Sequence, residues 1–399
     1  MKKVLCRVFQ GCMKAGNYLM GYRMPEKLTG AGSVKNLPEL FKHEKIDHVL
    51  VVSGPNITRS GLSRPMLEAL QDAGMRYTLF CNLSSNPTSE NVEEGYRLYC
   101  EQQCQAIIAF GGGSPMDCAK AIAARVVCPH KTVAQLQGLL KVRRKIPLFV
   151  AVPTTAGSGS ETTVAAVITN SATHHKASIN DPAIIPRYAV LDPELAIGLP
   201  PAITAATGMD ALCHAVEAYT NHTYNTRLEN DLARQAVKLI HDNLLDAYHD
   251  GSCLEARQNM QLAAFYAGRA FTRGCVGYVH AIGHTLGGLY GVAHGKAMGI
   301  LLPHVMRQYG SAVYPRLAEL ADECGIQGAD KKEKALAFIQ WIEEMKEKLG
   351  LPDGVDMIQD KDVDQIISWA MKEANPLYPV PVVWLRKDFL RLLATVRTK

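Results

Sequence analysis

One stretch limits the possible folds more than any other, the unbroken apolar run at residues 106–110 that leads directly into three consecutive glycines, Gly111, Gly112 and Gly113. A strand that is apolar on both faces is typical of a buried parallel sheet, because helices cover both faces of such sheets. The glycines let the backbone approach a ligand closely, and the open end of a following helix offers unpaired N–H groups to an anion. The stretch therefore predicts a βα unit that binds a pyrophosphate. A plain tight turn is the alternative, and the spacing is not that of the G-x-G-x-x-G fingerprint.

The residues after the glycines carry the signals of a helix start. Ser114 is expected to be the N-cap, Pro115 suits the first helical position, and the Asp117 carboxylate stands where it can reach back to the cap. A helix is expected from here to about residue 127.

A second loop of the same kind follows the apolar strand predicted at residues 147–152. Residues 153–163 are rich in glycine and hydroxyl side chains, among them Thr154, Thr155 and Thr163. Short hydroxyls and bare N–H groups at the end of a strand suit a ribose or a phosphate. A flexible surface loop is the alternative.

Strand and helix patterns alternate through the first half of the chain. This rhythm is that of βαβ units, and it predicts an α/β domain with a Rossmann-like parallel sheet over residues 1–199. The boundary is placed near Pro200 and Pro201, because two prolines continue neither a strand ladder nor a helix interior. A short strand or hairpin is expected within residues 1–35. Further strands are expected at 47–53, 77–81, 164–169 and 188–191, and helices at 62–73 and 89–103.

The second half shows helical patterns and no strand pattern. It predicts an all-α domain over residues 200–399, and a chain of 399 residues is long enough for two domains with substantial cores. The predicted helices lie at 202–219, 228–248, 254–270, 278–290, 298–308, 313–324, 332–348, 362–372 and 388–396.

The helical half holds two pairs of polar residues at helical spacing. Asp210 and His214 are four residues apart, as are His280 and His284, and His294 follows soon afterwards. Residues four apart leave the same face of a helix, and imidazole with carboxylate suits Zn²⁺ or Fe²⁺. The alternative is that these histidines are hydrogen-bonded core residues.

Composition excludes several classes of partner. The formal net charge of +5 is spread along the chain, and its one basic run, at residues 141–145, fits a solvated strand entry better than a nucleic-acid patch. The 11 cysteines contain no Cys-x-x-Cys pair, which favours a reducing, cytoplasmic setting. The N-terminal apolar run is broken before signal-peptide length, so neither export nor a membrane span is expected.

Together the glycine-rich turn, the hydroxyl-rich loop, the Asp210–His214 segment and the His280–His294 block resemble the iron-containing (group III) alcohol dehydrogenase family. This family includes lactaldehyde reductase and 1,3-propanediol dehydrogenase, and the resemblance spans almost the whole chain. It implies a dehydroquinate synthase-like architecture, a homodimer or larger homo-oligomer, and Fe²⁺ or Zn²⁺ with NAD or NADP as cofactors. The implied metal ligands are Asp210, His214, His280 and His294, with His284 beside the nicotinamide but not a ligand. The implied contacts to NAD(P) come from Asn86, Gly112, Gly113, Ser114, Asp117, Thr154, Thr155, Thr163 and Lys176.

Two positions depart from the family pattern. Family members that prefer NAD often have an aspartate at the end of the first sheet strand, where this chain has Gly54. Glycine removes a carboxylate that would repel the 2′-phosphate of NADP, which predicts that NADP(H) is accepted. The alternative is that Gly54 only makes the tight turn before Pro55. The asparagine expected four residues after His294 is Met298, which removes an amide that could support the ligand.

The resulting functional prediction is a metal-dependent, NAD(P)-linked oxidoreductase that interconverts a small alcohol and its aldehyde or ketone by hydride transfer. His284 is the candidate for moving the alcohol proton toward solvent, because imidazole titrates near neutrality. Two alternatives remain open. A dehydroquinate synthase-like cyclase or lyase would need clustered cations for a phosphorylated substrate, and near the metal block the sequence offers Arg269, Arg273 and Lys296. A non-catalytic metal or nucleotide sensor would not turn over any alcohol. The segment that includes Phe271 and Cys275 either lines the substrate pocket or forms a structural helix turn.

Overall fold

A computed structural model of the chain describes residues 2–84, 86–169 and 176–398. Its contacts divide the chain into a unit of residues 21–198 and a unit formed by residues 1–20 and 199–399. The strands are β1 (Glu26–Thr29), β2 (His48–Ser53), β3 (Arg76–Phe80), β4 (Ala106–Gly111), β5 (Gly138–Leu139), β6 (Leu148–Pro153), β7 (Ala165–Thr169), β8 (Lys176–Asn180) and β9 (Tyr188–Leu191). The helices are α1 (Lys2–Leu19), α2 (Leu37–His43), α3 (Pro55–Ser60), α4 (Arg64–Asp72), α5 (Ser89–Glu101), α6 (Gly113–Val127), α7 (Val133–Leu136), α8 (Pro201–Thr220), α9 (Arg227–His249), α10 (Leu254–Gly274), α11 (Tyr278–Tyr290), α12 (His294–Tyr309), α13 (Tyr314–Glu323), α14 (Lys331–Lys348), α15 (Val363–Ala374) and α16 (Arg386–Val396).

The main sheet of residues 21–198 has, within the described part of the chain, six strands in the order β1-β9-β6-β4-β2-β3, and every pairing is parallel. Strands β2 and β4 are buried along their whole length, as their apolar sequences predict. The α/β fold class and the Rossmann-like sheet are therefore confirmed. Because Gly111 pairs with Pro153, the glycine-rich turn and the hydroxyl-rich loop begin side by side.

A smaller sheet lies beside the hydroxyl-rich loop. Strands β7 and β8 form an antiparallel pair, and the short β5 pairs with β8. Strand β8 was not predicted. It places Lys176 opposite Thr169, so this lysine lies at the end of a strand and not in a loop between strands.

The N-terminal segment is a helix, so the expected strand or hairpin is wrong for residues 2–19. Arg7 Nη1 donates to Val380 O at 2.9 Å, and Gln10 Nε2 donates to Tyr378 O at 2.8 Å. Residues 1–20 thus belong with the helical unit, although the predicted boundary assigned them to the sheet domain. The inward positions of α1 include the buried polar residues Gln10 and Asn17, so hydrophobic periodicity could not identify its packing face.

The helical unit is organised around α8, which is buried almost throughout and packs against α9, α10 and α12. Helix α11 has the bounds that the sequence predicted, whereas α12 begins at His294, before the predicted start at residue 298. None of the helices in the described part of the chain has the length and apolar character needed to cross a bilayer.

A fully buried lysine on α6 fastens the hydroxyl-rich loop to the sheet domain. Lys120 Nζ donates to Thr163 O and Thr163 Oγ1, both at 2.8 Å, and to Ala165 O at 3.0 Å. Burial lowers the pKa of Lys120 to about 8, while the neighbouring carboxylates of Asp117 and Glu161 oppose that shift. Three acceptors therefore depend on one ammonium group.

Replacing this lysine is expected to destabilise the protein. Lys120→Met leaves buried acceptors and nearby carboxylates without their cation, and breaking a buried charged network in this way costs roughly 3–5 kcal/mol. The midpoint of urea unfolding should fall accordingly. Lys145→Met, at an exposed position, is the matched control and should shift stability by less than about 0.5 kcal/mol. Equal midpoints for the two variants would contradict the assigned role of Lys120.

Candidate functional site

One carboxylate oxygen in the helical unit faces three imidazole nitrogens. Asp210 Oδ1 lies 4.0 Å from His214 Nε2, on the same face of α8. The same oxygen is 3.8 Å from His280 Nε2 on α11 and 3.2 Å from His294 Nε2 at the start of α12. The four ligand atoms all lie within 4.8 Å of one another. The structure thus brings together the four residues predicted to bind metal.

A tight connection returns the chain so that His294 can join this cluster. Helix α11 ends at Tyr290 and is followed by the C-cap Gly291, whose φ of 68° is a left-handed conformation that glycine adopts without steric penalty. At Gly295, a Cβ would overlap the carbonyl oxygen of Ala206 on α8. Glycine therefore permits the close approach of α12 to α8 that places His294 beside Asp210.

The donor atoms fit a divalent metal ion. For bonds of about 2.1 Å in a tetrahedral site, ligand atoms stand roughly 3.4 Å apart, close to the separations from Asp210 Oδ1. The Nε2 atom of His280 is buried, and among the residues that the structure describes it has no hydrogen-bond partner. An unpartnered polar atom costs about 1–3 kcal/mol in a protein interior, a penalty that coordination would remove.

The neighbouring imidazoles favour the ionised form of the Asp210 carboxylate, which is the form that binds a metal ion. Burial alone would raise the pKa of Asp210, but the imidazoles of His214 and His294 outweigh it and hold the pKa well below the usual 3.8. The His214 ring is fixed by stacking on Phe271, with ring centroids 4.2 Å apart. Of the segment expected to line a pocket, Phe271 therefore contacts the cluster, whereas Arg273 donates to Asn17 O at 2.8 Å.

His284 lies next to the cluster but outside it. The structure stacks its ring on that of His294 at 5.2 Å, and its side chain is 44% exposed. His284 Nδ1 is 2.8 Å from Glu373 Oε1, and Tyr378 Oη donates to the same oxygen at 3.1 Å. The sequence analysis missed Glu373 because it lies 89 residues from His284 along the chain.

The start of α6 differs from the prediction. The N-cap is Gly112 and not Ser114, and the helix begins at Gly113. Asp117 does not reach back to the cap, because its carboxylate accepts from Ser160 Oγ at 2.9 Å and from the Val167 N–H at 3.1 Å. The reason is that Ser160 of the hydroxyl-rich loop and Val167 of β7 supply hydrogen-bond donors to this carboxylate.

Two loops meet at the carboxyl ends of β4 and β6. The Thr154 N–H donates to Gly111 O at 3.1 Å, and Gly111 has a φ of 146°, which favours glycine. A Cβ at Gly112 would lie 3.3 Å from Thr155 Oγ1, and one at Gly113 would lie 3.5 Å from Ser158 Oγ. The bare backbone and the hydroxyls form a narrow cradle, and dinucleotides bind at this edge of parallel sheets.

The other predicted nucleotide contacts occupy three places. Gly54 follows β2, the strand beside β4, and caps α3. Asn86 and Lys176 are joined by a hydrogen bond of 2.6 Å from Lys176 Nζ to Asn86 Oδ1, and both are exposed. Thr163 is buried against Lys120, a contact that the sequence analysis did not identify.

The two arginines considered for a phosphorylated substrate have another partner. Arg269 Nη1 and Arg273 Nε lie 2.8 Å and 3.2 Å from the buried Glu229 Oε1. Burial would raise the pKa of Glu229, but hydrogen bonds from Thr226 and the two arginines lower it. These cations stabilise the helical core, which argues against the cyclase or lyase alternative.

Comparisons with known proteins agree on one family. Residues 25–193 match the family described as iron-containing alcohol dehydrogenase, and residues 204–396 match the Fe-containing alcohol dehydrogenase family, C-terminal. A 1,3-propanediol dehydrogenase of Klebsiella pneumoniae is 39% identical over 81% of this chain and 84% of its own length. An NADPH-dependent butanol dehydrogenase of Clostridium saccharobutylicum is 34% identical over 84% of this chain and 85% of its own length. The crystal structure of a 1,3-propanediol oxidoreductase has a TM-score of 0.90 at 33% identity, covering 95% of this chain and all of its own.

Removal of single donors from the cluster is expected to release the ion. Asp210→Asn and His280→Ala should each lose metal, because an open site with three donors left holds an ion weakly. Chelation of the wild-type protein should abolish turnover, and Fe²⁺ or Zn²⁺ should restore it. Metal content by mass spectrometry is the measurement, with His241→Ala on α9 as the matched control. A His280→Ala protein with full metal content and normal rate would contradict the ligand set.

Proposed function

The chain belongs to the iron-containing alcohol dehydrogenase family and is an NAD(P)-linked oxidoreductase that interconverts alcohols and aldehydes; from this premise we propose which of its residues perform the reaction. Asp210, His214, His280 and His294 hold the divalent ion, and His284 moves the proton. The observation that carries the assignment is the single Asp210 oxygen that faces three imidazole nitrogens.

When bound, the metal ion polarises the substrate oxygen and the nicotinamide exchanges the hydride with the substrate carbon. The protein supplies donor atoms of fixed position and a group for the proton. The hydrogen bond to Glu373 makes Nδ1 of His284 the donor, which leaves Nε2 to accept the alcohol proton. Because His284 is half exposed, it can pass that proton to solvent, and the reverse path serves aldehyde reduction.

The proposal extends to the metal ion, the substrate, the location and the assembly of the protein. We propose Fe²⁺ as the resident ion, with Zn²⁺ as the alternative, since both accept imidazole and carboxylate ligands. A small alcohol substrate agrees with the names of the relatives. Free thiols at all 11 cysteines support a cytoplasmic location. A homodimer or larger homo-oligomer, with no nucleic-acid or membrane partner, completes the proposal.

Loss of the imidazole at position 284 separates proton transfer from metal binding. His284→Ala should keep its metal and slow turnover by about 10²-fold or more, the usual contribution of a positioned proton-transfer group. Metal content and kcat for alcohol oxidation are the two measurements. Metal loss in this variant would make His284 a ligand, and an unchanged kcat would remove it from the reaction.

Cofactor choice depends on the residue that follows β2. Gly54 has a φ of −81°, an ordinary conformation for any residue, so the turn before Pro55 does not require glycine. A Cβ there would lie 3.9 Å from Ile57 and Pro115, which is ordinary contact. We propose that the missing carboxylate allows NADP(H), with Asn56, Thr58 or Arg59 near its 2′-phosphate. These three residues lie in the short helix α3.

A carboxylate introduced at position 54 should make NADP(H) a poorer cofactor. At about 5 Å and an effective dielectric near 20, one pair of unit charges interacts by roughly 3 kcal/mol, less in salt. Gly54→Asp should therefore lower kcat/KM for NADP(H) by about 10- to 100-fold and change that for NAD(H) little. Gly54→Ala adds the Cβ without the charge and should keep the wild-type ratio. An unchanged ratio in Gly54→Asp, or a wild-type enzyme that uses only NAD(H), would contradict the role of this position.

A further inference from the structure

The helical unit contains a buried carboxylate that the reaction scheme above does not use. Glu217 is 1% exposed and lies on α8, less than one turn beyond His214. Its Oε1 accepts the Val279 N–H at 2.8 Å, and its Oε2 accepts the Gly277 N–H at 2.8 Å. Oε2 also lies 2.6 Å from Nδ1 of His280. One side chain therefore holds both the start of α11 and the ring of a proposed metal ligand.

These contacts determine which ring nitrogen of His280 carries the proton. An ionised carboxylate only accepts hydrogen bonds, so the short contact to Oε2 requires the proton on Nδ1. Nε2 then presents its lone pair, and Nε2 is the atom that faces Asp210 Oδ1 at 3.8 Å. A neutral imidazole binds metal through the nitrogen that lacks the proton.

We propose that Glu217 is a positioning residue that fixes the ring orientation and the Nδ1–H tautomer of His280, so that Nε2 can bind the metal. This inference rests on the ligand set proposed above. The other group near Nδ1 is the Cys213 thiol, whose Sγ is 3.8 Å away. A thiol is a weak acceptor beside a carboxylate at 2.6 Å, so Glu217 decides the tautomer.

A glycine makes this arrangement possible. A Cβ at Gly277 would lie 2.6 Å from Glu217 Oε1 and 3.2 Å from its Cδ. The backbone there has a φ of −134°, which other residues also adopt, so the glycine serves the approach of the carboxylate and not an unusual conformation. Gly277→Ala should therefore shift the carboxylate of Glu217 from its present position, although residue 217 is not itself mutated.

The main test is Glu217→Gln, which keeps the shape and removes the charge. An amide has one acceptor oxygen, so it cannot accept from both N–H groups and also hold the Nδ1–H tautomer. We expect the purified apoprotein to bind Zn²⁺ about 10- to 100-fold more weakly in competition with a chelator, the usual effect of losing the partner of a metal-binding histidine. Excess Zn²⁺ should restore most of the lost turnover.

A spectroscopic measurement reads the tautomer without metal or activity. In apoprotein labelled with ¹⁵N-histidine and held at an alkaline pH where the imidazole is neutral, His280 of the wild type should show a protonated Nδ1 and an unprotonated Nε2. The assignment comes from the signal that is missing in His280→Ala. In Glu217→Gln the Nε2–H form should become populated. A neutral wild-type His280 that carries its proton on Nε2 and none on Nδ1 would overturn the proposal.

Two further variants separate positioning from helix capping. Gly277→Ala should weaken Zn²⁺ binding as Glu217→Gln does. Asp192→Asn is the matched control, because this buried carboxylate accepts the N–H groups of Gly32, Val34 and Glu194 in the sheet unit. It should lower the Tm and leave Zn²⁺ affinity unchanged.

The outcomes distinguish this proposal from the proposed function. If the wild type binds no Zn²⁺, or binds it independently of Asp210, the ligand set fails. If the wild type binds Zn²⁺ through Asp210 and both Glu217→Gln and Gly277→Ala bind it equally well, Glu217 only caps α11 and the positioning role is wrong.

Discussion

The helical unit depends on the burial of a charged carboxylate among imidazoles. An isolated carboxylate is strongly disfavoured in a protein interior, so Asp210 requires facing groups that stabilise its charge. His214 comes from the same helix, but His280 and His294 come from α11 and α12. The packing of α8 against those helices, including the close approach at Gly295, is therefore the condition for the site. Glu217 is a second buried carboxylate on α8, and it fixes the start of α11 by accepting hydrogen bonds from two backbone N–H groups there.

The sheet unit meets a different constraint, the need to hold two loops at the ends of adjacent strands. The register that pairs Gly111 with Pro153 sets the loops side by side, and parallel strands must end at the same edge. Lys120 and Asp117, both on α6, hold the hydroxyl-rich loop through hydrogen bonds with Thr163 and Ser160. Glu161 in the same loop is also buried, and burial raises its pKa to about 7, with Lys120 opposing the shift.

Local patterns predicted the elements whose buried faces are uniformly apolar, and they failed for elements whose buried faces include polar residues. Strand β4 is apolar throughout, and α11 lies between clear start and stop signals, so both were placed well. Helix α1 was missed because it buries Gln10 and Asn17. Strand β8 was missed although its polar and apolar residues alternate and Ile179 is buried, because a strand of five residues gives only a short pattern. The cap of α6 was misplaced because Ser114 has the right chemistry, while the conformation of Gly112 decides where the helix starts.

The sequence by itself determined the α/β and all-α halves, the family resemblance and the residue types that suit a metal ion. Spacing along a helix could relate Asp210 to His214 and His280 to His284, since 3.6 residues per turn is a local rule. The family resemblance already implied that His294 is a ligand and that His284 is not, and only the tertiary structure showed that His284 pairs with Glu373 and that Glu217 holds His280. These contacts join residues 63–89 positions apart, and their geometry depends on helix packing, which no local pattern encodes.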